Sequence, residues 1–96
     1  MWLLRFHLVE TRDYNKIDRI VARTGYISHN LSTMVLVKGI LLHVLQKKSW
    51  RQAGAELKVS YTALYQFAQF FESREEKKEL LSYLIERKIA LYIANE

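Results

Sequence analysis

Residues 49–71 read Ser-Trp-Arg-Gln-Ala-Gly-Ala-Glu-Leu-Lys-Val-Ser-Tyr-Thr-Ala-Leu-Tyr-Gln-Phe-Ala-Gln-Phe-Phe, and their spacing predicts a helix, a short turn and a second helix. Ser49 is a good N-cap, and Gln52 three residues later completes a capping box. Ala53 and Leu57 share one helical face, and Gly54 and Ala55 between them are small enough for another helix to cross closely. A mid-helix Gly costs roughly 1 kcal/mol of helix propensity, so it points to close packing. Lys58-Val59-Ser60 is the turn, with Val59 pointing inward and the Ser60 hydroxyl expected to cap the next helix. In that helix Leu64, Phe67 and Phe71 recur at three- and four-residue steps and define a buried face. Tyr61, Thr62, Tyr65, Gln66 and Gln69 are left on the other face, which carries no acid.

This is the helix-turn-helix plan, whose second helix can enter a DNA major groove. The same residues also suit an ordinary helical hairpin. Lys58 occupies a turn position that is often Gly because the backbone there tends to be left-handed; a Lys costs roughly 1 kcal/mol in that conformation.

Working outward, residues 31–48 carry Met34, Val37, Ile40, Leu41, Val44 and Leu45 in a wide apolar stripe, with Ser32 or Asn30 as N-cap. This predicts a central core helix, with Lys47 and Lys48 at its C-terminal end where they suit the dipole. Before it, Asp13 is expected to cap a short helix that faces Ile17, Ile20 and Val21 inward and Lys16, Arg19 and Arg23 outward. Gly25 is placed to stop that helix in a left-handed cap. Met1–Val9 alternates and reads as a short strand, paired with a second chain or with Ile89–Ile93, which also alternates; an extra helix fits nearly as well. After the motif, Ser73-Arg74-Glu75-Glu76 reads as a second capping box. It opens a helix over 74–90 that buries Leu80, Leu81, Leu84, Ile85 and Ile89 and leaves Glu76, Lys77, Lys78, Glu79, Glu86, Arg87 and Lys88 outside. That stripe is wide enough to serve as a dimer face as well as core.

The expected fold is mainly α: one domain over residues 1–96, a small bundle of 4–5 helices containing a helix-turn-helix at 49–71. The composition agrees. Ninety-six residues suffice for one modest core, half of them are hydrophobic, and there is no Pro and only three Gly. The absence of Cys excludes disulfides and thiolate metal sites and suits a reducing compartment. No apolar run approaches the roughly 20 residues of a membrane span, since Lys38, His43 and Lys47 interrupt the best candidate. Met1–Val9 is too short for a secretory signal. The cytoplasm, in association with the nucleoid, is the expected location.

The net charge is +5, and its distribution says more than its total. Residues 1–71 hold ten basic and four acidic side chains, whereas residues 72–96 hold five and six. The excess lies with the motif and the segments before it, as a phosphate-binding surface requires.

Taken together, Ile40-Leu41-Leu42-His43-Val44-Leu45-Gln46-Lys47-Lys48-Ser49-Trp50-Arg51 and Val59-Ser60-Tyr61-Thr62-Ala63-Leu64-Tyr65 resemble the N-terminal domain of some bacterial insertion-sequence transposases. Those domains run an apolar helix into a Trp-Arg pair and then a short helix leads to a Val-Ser-x-x-x-hydrophobic-Tyr recognition helix. The resemblance covers residues 33–71 and implies binding of DNA ends. Lys48 and Ala53 stand where the family commonly has Gly and Pro, and the acidic catalytic domain has no room in this chain, so DNA binding is carried over and transposition is not.

Within this reading Lys47, Lys48, Ser49, Arg51 and Lys58 contact phosphates. Ser60, Tyr61, Thr62, Tyr65, Gln66 and Gln69 face the bases, where Gln can pair with adenine and Thr62 can meet a thymine methyl. No Arg or Lys on that face grips guanine, which favours A·T-rich sites. The expected partners are double-stranded DNA and a second copy of the chain. The competing class is a protein-interaction adaptor using Tyr61, Tyr65 and Phe70, residue types enriched in interfaces. No catalytic constellation is recognisable. His7, His29 and His43 lack metal-ligand spacing, and there is neither a Gly-rich phosphate loop nor a Ser nucleophile elbow. Neither cofactor, metal nor small-molecule substrate is indicated.

Overall fold

A computed structural model describes residues 9–26 and 31–95. Six helices form among them: α1 (Thr11–Ala22), α2 (Thr33–Leu45), α3 (Trp50–Leu57), α4 (Tyr61–Glu72), α5 (Glu75–Arg87) and α6 (Ala90–Asn95), with no strand. The mainly-α expectation holds. None of these helices is long and apolar enough to cross a membrane.

α2 is the hub, touching α1, α3, α4 and α6. It can do so because it is apolar on nearly every side, and such a helix is stable only when surrounded. Leu36, Val37, Ile40, Leu41 and Leu42 are all buried. The expected stripe omitted Leu36 and Leu42 and extended too far, for Val44 and Leu45 are exposed in the last turn. Ser32 is the N-cap, its hydroxyl accepting from the Val35 N–H at 3.2 Å. Gly39 faces α4 so closely that an added Cβ would lie 2.7 Å from Leu64 Cδ2. Leu64, Phe67 and Phe71 of α4 are buried in the same core, each worth about 2 kcal/mol of transfer free energy.

α1 starts at Thr11, with Glu10 as N-cap and Asp13 as the third helical residue, not as the cap. The reason is tertiary. The Asp13 side chain is fully buried and serves three donors besides closing a reciprocal box with the Glu10 N–H at 2.8 Å. Tyr83 donates its hydroxyl to Oδ1 at 2.5 Å, and Arg87 donates Nε to Oδ1 at 2.9 Å and a terminal nitrogen to Oδ2 at 3.2 Å. Arg87, expected outside, therefore clamps α5 to α1. Burial alone would raise the Asp13 pKa, but the hydrogen bonds from Arg87, Tyr83 and the Glu10 N–H outweigh it and hold the carboxyl at about 2. Gly25 does take a left-handed conformation (φ 78°), but it follows the helix end at Arg23 by two residues. Lys16 and Arg23 do face outward, where both pair with Glu79.

The C-terminal third departs most from expectation. Arg74, not Ser73, is the N-cap of α5, and no side-chain capping bond forms there. The predicted helix 74–90 is two helices. α5 stops at Arg87, Lys88 turns left-handed (φ 61°), and α6 begins at Ala90. The Lys88 N–H bonds to the Ile85 carbonyl at 3.0 Å and the Ile89 N–H to the Leu84 carbonyl at 3.1 Å, the paired bonds of a Schellman motif. The break carries Ile89 and then Ile93 into the core, both fully buried, and lets α6 pack on α2. Ile85 is instead 67% exposed. Ile89–Ile93 is therefore no strand partner: Ala90–Asn95 is helical. Met1–Leu8, where the strand was expected, and Asn30, the alternative cap, lie outside the described residues.

Candidate nucleic-acid interface

The sequence joins α2 to α3 through only four residues, and their local geometry sets the orientation of everything after them. Gln46 caps α2, Lys47 adopts a left-handed backbone (φ 56°), and the Lys48 N–H returns to the Leu42 carbonyl at 3.2 Å. His43 holds this turn from the side. Its Nδ1 donates to the Lys48 carbonyl at 2.8 Å while its ring stacks on Trp50, centroids 4.0 Å apart. The sequence marks His43 only as a histidine without metal-ligand spacing, and this bracing role was not read from it; the one available signal was an aromatic seven positions on, across a predicted turn. Ser49 then caps α3 as expected. Its hydroxyl accepts from the Gln52 N–H at 3.1 Å, and its own N–H donates to the Gln52 side chain at 2.9 Å.

α3 ends at Leu57 in a second Schellman motif. Lys58 is left-handed (φ 60°), its N–H reaching the Ala55 carbonyl at 3.3 Å, while the Val59 N–H reaches the Gly54 carbonyl at 2.9 Å. Val59 packs against the core from this position. Gly54 is required by the turn: an added Cβ would sit 2.9 Å from the Val59 carbonyl oxygen and 3.0 Å from the Tyr61 Cα. Ser60 occupies the N-cap of α4, but its hydroxyl makes no capping bond, contrary to expectation. The turn already fixes the entry of α4 through Gly54 and Val59.

With α4 buried along Leu64, Phe67 and Phe71, the residues Ser60, Tyr61, Thr62, Tyr65, Gln66 and Gln69 are all exposed. No carboxylate interrupts this face before Glu72 at the end of the helix. Among the expected phosphate ligands, Lys47, Lys48, Ser49 and Arg51 gather around the start of α3, and Lys58 stands at its far end, in the turn before α4. Lys48 is tied to Glu56 in an ion pair. Arg51 lies over the Tyr61 ring, 4.8 Å from its centroid. Lys47, Arg51 and Lys58 make no ion pair among the described residues, whereas Arg12, Lys16, Arg23, Arg74, Lys77 and Arg87 each have a carboxylate partner. Arg19, Lys78 and Lys88 also make none, so the two ends of α3 gather three of the cations without an ion pair among the described residues.

Aromatic rings flank that charge. Tyr65 meets Trp50 edge-on at 6.2 Å, and Ser49, Trp50, Arg51, Tyr61 and Tyr65 line a shallow cleft of about 350 Å³ between α3 and α4. No family model, curated protein or solved structure matches this chain, and the resemblance to transposase domains rests on the residues quoted for it.

Proposed function

We propose that the protein binds double-stranded DNA through α3 and α4 used as a helix-turn-helix, as a small regulator or transposon-related DNA-binding protein. The observation that carries this reading is the pairing of an acid-free exposed α4 face with unpaired Lys47, Arg51 and Lys58 beside it. The cations and the N-terminal N–H groups of α3 neutralise phosphates and set register. Thr62, Gln66 and Gln69 read base edges, with a preference for A·T pairs, and Tyr61 and Tyr65 contact base or backbone. The working location in this reading is the cytoplasm, on the nucleoid. One such motif spans few base pairs, so a two-fold dimer on a palindromic site supplies the specificity. The exposed Ile85, Leu91 and Tyr92 are the surface through which two copies pair.

The test is a fluorescence-anisotropy titration against random and A·T-rich duplexes at two salt concentrations. Binding should weaken as salt rises, with a log–log slope near −0.9 for each phosphate neutralised. The combined Lys47→Ala, Lys48→Ala and Arg51→Ala variant should lose it while melting as a folded helical protein. Absence of binding at low salt would remove the proposal.

A second reading has its own observation. Tyr61, Tyr65 and Phe70 are exposed aromatics on α4, and the α4 face holds no basic residue of its own, which also suits a protein-interaction adaptor. An adaptor would tolerate the triple substitution and lose its partner on Tyr61→Ala and Tyr65→Ala.

A further inference from the structure

The cleft between α3 and α4 has a chemistry that double-stranded DNA does not need. Phosphate contact calls for cations and N–H donors, and groove reading calls for amides and hydroxyls. This cleft is instead almost wholly apolar, walled by the rings of Trp50, Tyr61 and Tyr65, with Arg51 at its rim and no carboxylate among its lining residues. The walls are held in place. Trp50 is backed by His43 at 4.0 Å, its edge contact with Tyr65 fixes the angle between those two rings, and Arg51 covers Tyr61. Tyr61 and Tyr65 nevertheless stay 39% and 43% exposed, so ring surface remains open to a ligand.

Preset aromatic surfaces beside a guanidinium are what single-stranded nucleic-acid sites use, because every base has a π-face and every nucleotide a phosphate. A base inside an intact duplex is already stacked on both sides and has nothing to gain there. We propose that the cleft receives one unpaired nucleobase, stacked on these rings with the adjoining phosphate on Arg51. The protein then favours DNA carrying an extrahelical or single-stranded nucleotide over fully paired DNA. This rests on the reading that nucleic acid is the partner. The net positive charge and Arg51, the cation that lines the cleft without an ion pair among the described residues, supply the complementarity that an uncharged apolar ligand would not need.

The experiment compares a fully paired duplex with the same duplex bearing one extrahelical thymidine, by anisotropy, using the full chain. Trp2→Phe leaves Trp50 as the sole tryptophan, so its emission reports stacking directly. The bulged duplex should bind at least about fivefold more tightly, in line with the stacking increment per base, and should quench Trp50. Tyr65→Leu should abolish that preference, and Tyr65→Phe, which keeps the ring, should retain it. Equal affinities with unquenched Trp50 would overturn the cleft proposal and leave duplex binding standing, as would a preference that survives Tyr65→Leu. No binding to either duplex at low salt would remove both.

Discussion

Asp13 is the residue on which the α1–α5 contact turns. Its carboxyl is fully buried and is held ionised at about 2, against an ordinary 3.8, by Arg87, Tyr83 and the Glu10 N–H. A carboxyl whose pKa is depressed in the fold stabilises it at pH values above the unfolded pKa and loses that effect as the pH falls through the folded one. We therefore expect roughly 2 kcal/mol of stability to disappear between about pH 4 and pH 2. Denaturant titrations at pH 7, 3 and 2 should show the loss, and Asp13→Asn should flatten it while destabilising the protein at pH 7 by about 2–4 kcal/mol, as uncoupling a buried charge pair does. Nothing in the sequence announces this cluster, because its members lie 70 and 74 positions apart. A carboxylate near a helix start reads as a cap until the partner that buries it is known. Gly54 is the opposite case. Its neighbours in space are its neighbours in sequence, and its small size is legible as a close approach. Gly54→Ala pushes a methyl into the Val59 carbonyl and the Tyr61 backbone, at a cost of about 1–3 kcal/mol. A lowered melting temperature together with weaker DNA binding would register the displaced α4.

At the scale of elements, the non-Gly residues with positive φ among the described residues are Lys47, Lys58 and Lys88, each closing a helix. A left-handed backbone costs an L-residue about 1–2 kcal/mol, and Gly regains most of that while losing some through the greater freedom of its unfolded chain. Lys58→Gly and Lys88→Gly should each stabilise the protein by roughly 0.5–1 kcal/mol, seen as a rise of a few degrees in melting temperature. The two should differ in function: Lys58→Gly should also reduce the salt slope of DNA binding by about one, whereas Lys88→Gly should leave it unchanged. These turns also separate what could be read in advance from what could not. The α3–turn–α4 segment was legible because Ser49, Gln52, Gly54, Lys58 and Val59 act on one another within ten residues. The α5–α6 break was not, because Lys88 sits in a strong helical pattern whose continuation is ended by the burial of Ile89 and Ile93 against α2. Long-range packing overrode local preference there.

For the whole molecule, the apolar surface left exposed is uneven. Ile85, Leu91 and Tyr92 stand open around a small cleft that also involves Leu84, Lys88 and Ala90. If two copies meet on that face, light scattering at micromolar concentration should return twice the chain mass, and Ile85→Glu should return it to one while leaving the helical circular-dichroism signal intact. A strict monomer in the parent protein would remove the dimer from the proposed mechanism. The candidate site was only partly legible at this scale. Its exposed residues could be named from helical periodicity, but the cleft, the Lys48–Glu56 pair and the His43 brace depend on how α2, α3 and α4 meet.

The Asp13–Arg87 clamp has one more consequence, for the birth of the protein on the ribosome. α1 is made before α5, and the cation that answers its buried carboxylate follows 74 positions later. Until Arg87 leaves the exit tunnel, docking α1 would entomb a charge without its counter-ion. Docking of α1 is therefore tied to the presence of α5, because a buried carboxylate without its partner is costly.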